Sequence, residues 1–182
     1  MKITPLAIPD VLLIEPHLIE DNRGFFFESF RDDIFAAKIS NNTSFVQDNH
    51  SKSSRGVLRG LHYQMNPKAQ GKVVRVVQGE VLDIALDIRR SSATCGQHVS
   101  EVLTSKNKKQ MWIPEGFAHG FITLSETAEF LYKTTNLYCK TLERCIIWND
   151  PILNISWPQN IVFKISPKDL LGVNFSDAEL FP

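Results

Sequence analysis

The stretch KVVRVVQGEVLDIALDIR, residues 72–89, constrains the fold of this chain more than any other segment. It holds two β-branched runs, and Gly79-Glu80 lies between them at a natural bend. Such residues pack well on a pleated surface and lose side-chain freedom in a helix. Further strand candidates lie at residues 25–30, 44–49, 56–64, 99–104, 110–113, 120–124, 129–135 and 145–148. They are short and closely spaced, which favours an antiparallel sandwich or barrel over a parallel sheet. Helix signals are few. Residues 31–39 form one short candidate. Ser166-Pro167-Lys168-Asp169 opens another, with serine suited to the N-cap, proline to the first turn and aspartate to the third helical position. There is no internal repeat, low-complexity tract or linker. Residues 1–182 therefore read as a single, mainly all-β domain with a few short peripheral helices and a short helical tail after the Trp157-Pro158 boundary.

Composition narrows the function classes. Hydrophobic residues make up 43% of the chain, an ordinary globular share. Lys plus Arg and Asp plus Glu both count 20, a balance that argues against a general nucleic-acid binder. An anionic ligand would need a local cluster of cations. Pro5, Pro9 and Asp10 interrupt any signal-peptide core, and no apolar run is long enough to cross a bilayer. Cys95, Cys139 and Cys145 lack metal-like spacing and suit reduced, inert thiols. A cytoplasmic protein without a membrane partner is the expectation.

The chemistry concentrates in GVLRGLHYQ, residues 56–64. It resembles the first half of a cupin motif, in which a glycine precedes two metal-binding histidines. Gly56 and His62 fit, but Gln64 replaces the second histidine, and Lys68 and Ala69 stand in place of the downstream glutamate. In PEGFAHGF, residues 114–121, Pro114, Gly116 and His119 fit the second cupin segment, while Thr123 stands where asparagine is usual. Two imidazoles are a poor cage for a transition metal. A cupin-like antiparallel β-sandwich or jelly-roll barrel without a metal is therefore expected. A histidine freed from a metal can take a proton instead, since imidazole titrates near about 6.5. Strand alternation gathers Arg59, His62 and Gln64 as three polar groups on one otherwise costly face.

The segments DNRGFFFESF (21–30), VQDNHS (46–51), GVLRGLHYQ (56–64), QGKVVRVVQGEVLDIALDIR (70–89), MWIPEGFAHGF (111–121), EFLYKT (129–134), IIWNDP (146–151) and SPKD (166–169) share order and spacing with one family. Through them the chain resembles the dTDP-4-dehydrorhamnose 3,5-epimerases over nearly its whole length. The resemblance implies a dTDP-4-keto-6-deoxyhexose substrate, inversion at C3 and C5 beside the C4 ketone, and no cofactor. It implies His62 as base, Tyr132 as acid, Asp169 as the carboxylate that orients the histidine, and Lys72 as the cation near the enolate oxygen. It further implies substrate contacts from Arg23, Glu28, Gln47, Asp48, Asn49, Arg59, His119, Glu143 and Lys168, with Tyr138 stacking on thymine and Phe26 walling the sugar. In the family, Arg23, Phe26 and Glu28 tend to reach the site from a partner subunit, which implies a homodimer with shared sites. Cys95 and His98 depart from the family, where aromatics are common, and are assigned to the scaffold.

Each assignment has a plainer alternative. His62 alone reads as a core histidine, His119 as a turn residue and Tyr132 as core. Asp169 could complete a capping box. Lys72 and Arg75 could be strand-face charges, Arg23-Gly24 only a turn, and 47–49 a polar strand end. Glu143 and Lys168 could be ordinary surface charges. Competing functions are a C3-only epimerase, a 3,4-ketoisomerase, a metal-dependent cupin oxygenase and a non-catalytic sugar-binding cupin.

Overall fold

A computed structural model describes residues 1–39 and 43–182. In chain order the strands are β1 (Lys2–Pro5), β2 (Leu12–Glu15), β3 (Ile19–Asp21), β4 (Gly24–Phe26), β5 (Gln47–Ser54), β6 (Val57–Gln64), β7 (Lys72–Gln78), β8 (Glu80–Asp87), β9 (His98–Thr104), β10 (Gln110–Ile113), β11 (Phe117–Thr123), β12 (Thr127–Thr134), β13 (Glu143–Cys145) and β14 (Lys164–Ile165). Helix α1 (Asp32–Lys38) lies between β4 and β5, and α2 (Pro167–Leu170) follows β14. The first sheet runs β1-β2-β10-β7-β12-β5 and the second β13-β6-β11-β8-β9, with β14 pairing on β6. Pairing is antiparallel throughout both sheets except at β14. The expected all-β antiparallel sandwich is the architecture that forms.

The segment at 72–89 explains why two sheets form. Gly79 adopts φ +76°, and a Cβ there would collide with the Thr127 carbonyl oxygen. The bend does not make a hairpin. It carries the chain from β7 in one sheet to β8 in the other. β8 is central and covered on both faces. Val81 and Ala85 join Val74, Val76, Phe121 and Phe130 in the core between the sheets. Ile84 and Leu86 face the other way and pack beneath Leu153, Trp157 and Phe181 of the C-terminal segment. A third cluster sets Phe35 of α1 against Val73 and Trp112 on the outer side of the first sheet.

Several boundaries depart from the sequence expectation. The strand predicted at 25–30 ends at Phe26, and that predicted at 44–49 runs instead over Gln47–Ser54. The candidate at 145–148 forms only at Glu143–Cys145. Strands β1 and β2 escape the sequence reading because Pro5 and Pro9 look like breakers. β1 is an edge strand, where proline leaves no ladder bond unmade on its open side. No helix among the described residues is long and apolar enough to cross a membrane.

Candidate active site

A pocket of about 250 Å³ opens between the sheets at one end of the sandwich. The second sheet contributes Arg59, His62 and Gln64 from β6 and His119 from β11, and the first contributes Ser51, Lys72, Phe130 and Tyr132. Alternation alone does not gather Arg59 with His62 as expected from the sequence: three residues are an odd step, which would place them on opposite faces. The pairing with β11 shifts there: His119 lies opposite His62, but Phe121 lies opposite Arg59. The extra residue on β6 returns both side chains to the pocket. A Cβ on Gly60 would meet Gly120 Cα at 2.6 Å, so the irregular stretch needs two glycines back to back.

His62 is oriented by a carboxylate. Its Nε2 lies 2.6 Å from Asp169 Oδ1, with the histidine side chain 28% exposed and the aspartate 5%. Burial works against the Asp169 carboxylate, but the bond and charge of His62 outweigh it and hold the group below the ordinary carboxylate range. Asp169 sits on α2, whose N-cap Ser166 accepts the Asp169 backbone N–H at 3.1 Å. Half of a capping box forms. The carboxylate bonds His62 and also meets the Ser166 side chain, so orienting the histidine and holding the cap coexist in one residue.

Lys72 begins β7 and is 7% exposed. Its Nζ donates to the His62 carbonyl at 3.5 Å. Burial draws the ammonium down to about 8 against the pull of Asp83 and Glu143. Tyr132 faces the pocket from the sheet opposite His62, and burial raises its hydroxyl, which keeps it protonated at neutral pH. The pocket thus has an imidazole on one wall, and a phenol and a buried amine on the sheet opposite.

Around this centre the polar groups interlock. His119 Nε2 lies 3.0 Å from both oxygens of Asp83. Burial pushes Asp83 up and His119 down, so each is driven toward its neutral form. Glu143 accepts the Tyr138 hydroxyl at 2.7 Å and also the Lys168 ammonium. Gln64, at the lost metal position, clamps two loops: its Nε2 donates to the Lys68 carbonyl at 2.7 Å and its Oε1 accepts Cys139 N–H at 2.6 Å.

The model for the family described as dTDP-4-dehydrorhamnose 3,5-epimerase matches residues 5–177. The chain belongs to the dTDP-4-dehydrorhamnose 3,5-epimerase family. Like its named relatives it is an isomerase, built on the cupin-like sandwich. It is 58% identical to the Pseudomonas aeruginosa dTDP-4-dehydrorhamnose 3,5-epimerase over 100% of both chains. The dTDP-6-deoxy-D-glucose-3,5-epimerase of Legionella pneumophila, solved in complex with dTDP-4-keto-L-rhamnose, superposes with a TM-score of 0.95. The two are 45% identical, and the match covers 98% of this chain and 94% of that one. A 3'-monoepimerase from Streptomyces bikiniensis, in complex with dTDP-quinovose, gives 0.88 at 28% identity, covering 94% and 87%.

Not every residue implied by the resemblance reaches the pocket of this epimerase within one chain. Gln47 faces inward and accepts Tyr138 N–H at 3.0 Å, while its own amide donates to Asn49 at 2.8 Å. Gln47, Asn49 and Lys168 lie beside the pocket lining rather than in it, and Asp48 is turned away from its two neighbours. Alternation turns it to the outer side, where it pairs with Lys133 at 2.6 Å. Arg23 and Phe26 lie on the β3–β4 hairpin and line a separate shallow cleft, and Phe26 is 65% exposed. Arg23 binds Asp21, and Glu28 lies 3.5 Å from Arg31.

Two residues near the centre escaped the sequence reading. Asp83 is fully buried in the apolar run of β8, and a carboxylate there demands a partner. That was the available signal. Cys145 lies across the β6–β13 pair from His62, and nothing in its sequence spacing discloses it.

Proposed function

We propose that this enzyme inverts C3 and C5 of dTDP-4-dehydro-6-deoxy-D-glucose, giving dTDP-4-dehydro-L-rhamnose without a cofactor. The observation that carries this reading is the opposition of the His62–Asp169 pair and Tyr132 across one pocket, with the Lys72 ammonium bonded to the His62 carbonyl. Asp169 holds Nε2, which leaves Nδ1 as the ring nitrogen for proton transfer. Nδ1 takes the proton from the carbon beside the ketone, and the C–H electron pair moves into the C4 carbonyl as an enolate. The Lys72 ammonium offsets that oxygen's charge. Tyr132 returns a proton from the opposite face, so configuration inverts, and its phenolate recovers a proton from water.

Arg59 and Lys168 supply positive charge for the diphosphate, His119, Gln47, Asn49 and Glu143 polar contacts, and exposed Tyr138 an aromatic face for the base. Arg23, Phe26, Glu28 and Asp48 fit this reading as contacts made in a homodimer, each chain completing its partner's site. The exposed Phe25 and Phe26 support it, being apolar surface in need of cover. Residues 1–182 act as one domain in this reading, and the cytoplasm is the compartment it implies. Turnover in D2O, followed by NMR, is the test. Deuterium at both C3 and C5 is the expected result. Label at C3 alone would transfer the chain to the monoepimerases, whose fold it shares at a TM-score of 0.88.

A further inference from the structure

Cys145 has no part in the epimerisation, yet it stands beside the base. It ends β13 directly opposite His62, and Asp169 meets the same histidine from α2. One ligand atom from each residue, an imidazole nitrogen, a sulfur and a carboxylate oxygen, lies within 4.8 Å of the other two. The thiol makes only a weak contact to the Ile146 carbonyl at 3.6 Å. Lys168, the nearby cation, is engaged by Glu143. Nitrogen, sulfur and carboxylate oxygen together are the donor set that zinc prefers, and three protein ligands plus water complete its tetrahedron. Tetrahedral zinc donors stand roughly 3–4 Å apart, so modest side-chain rotation closes the set.

We propose that His62, Cys145 and Asp169 form an inhibitory site for a thiophilic divalent cation of the Zn²⁺ class. Binding exchanges the His62–Asp169 hydrogen bond for two metal bonds: the ring proton moves from Nε2 to Nδ1 through solvent, the freed Nε2 lone pair and an Asp169 oxygen bind the cation, and Nδ1 can no longer accept a proton. The Cys145 S–H bond breaks, its electron pair forms the sulfur–metal bond, and the proton leaves to solvent. No oxidant or reductant takes part. With its imidazole on the metal, the base is silenced. This last step rests on the reading of His62 as base, whereas the metal site does not.

Titration of the purified enzyme with Co²⁺, a spectroscopic stand-in for Zn²⁺, provides the test without turnover. Thiolate-to-cobalt charge-transfer absorption is expected in the wild type and in Cys139→Ser, and not in Cys145→Ala or Cys145→Ser. In parallel, Zn²⁺ should inhibit the wild type. Cys145→Ala should keep its basal turnover and need at least about tenfold more Zn²⁺ for the same inhibition. Absence of the band from the wild type, its persistence in Cys145→Ala, or equal Zn²⁺ sensitivity of the two proteins would overturn the proposal. A cobalt band in the wild type alongside full turnover by His62→Ala would sink the base reading and leave the metal site standing.

Discussion

Two histidine–carboxylate pairs stand side by side on neighbouring strands, with His62 directly opposite His119 in the β6–β11 register. Their chemistry is the same and their surroundings differ. His62 is 28% exposed, and its aspartate arrives from a helical turn outside the sheet. His119 is 8% exposed, and Asp83 comes from the buried central strand. At the first pair, the histidine's bond and charge prevail over burial and keep Asp169 below the ordinary range. At the second, burial prevails and drives both members toward neutrality. A group that must gain and lose a proton in each cycle needs access to water and an ionised partner. A group that only fixes a wall needs neither. The comparison supports the proposed proton transfer by His62 and fits His119 as a neutral donor or acceptor in the wall.

The sharpest way to break this comparison is to remove each histidine in turn. His62→Ala should lower kcat by about a thousandfold and abolish deuterium exchange, with little change in melting temperature. His119→Ala should lose far less kcat; equal losses would erase the distinction. Lys72→Met comes next, at about a hundredfold in kcat. Its charge also supplies a pH signature. The ammonium is the active form, so wild-type turnover should fall as pH climbs through about 8, a limb that Lys72→Met lacks. Stability should move the opposite way. The folded group sits below the ordinary 10.5, so the unfolded chain binds more protons between those values. Burial of the ammonium therefore costs stability below about 8, and the wild type should gain on Lys72→Met in thermal melts as pH rises across that window.

Smaller effects separate the carboxylates. Asp83→Ala should destabilise the fold by about 2 kcal/mol in denaturant titrations, because His119 is left buried without a partner. Asp169→Asn should lower kcat about tenfold and leave stability nearly unchanged, since the Ser166 cap uses the Asp169 backbone and survives the substitution. A stability loss in Asp169→Asn as large as that in Asp83→Ala would show that both carboxylates are structural.

The parts of this molecule that local pattern controls were legible in the sequence. β10 forms over the predicted residues, β7 and β8 flank the predicted bend, and α2 carries the predicted serine cap. His62 stood out because a histidine between Arg59 and Gln64 in an apolar run needs a reason to be there, whereas the parts given to Lys72 and Tyr132 came from the family resemblance. What long-range pairing controls was hidden. The neighbourhood of Cys145 and His62 depends on β13 lying against β6, and the company kept by Arg59 and His62 depends on one shifted register. Asp48, implied by the resemblance beside Gln47 and Asn49, faces the other side of the sheet from them in the single chain, which alternation along β5 explains.

The origin of the Asp169 carboxylate has a consequence for biosynthesis. It joins His62 across a sequence separation of 107 residues, from a helical turn outside the sheet. On the ribosome, β6 emerges long before α2 does. A nascent chain can thus fold much of its sandwich and display the imidazole while the ring is still unoriented. In such a sequence of events, competence is conferred by an element translated well after the strand that carries the base.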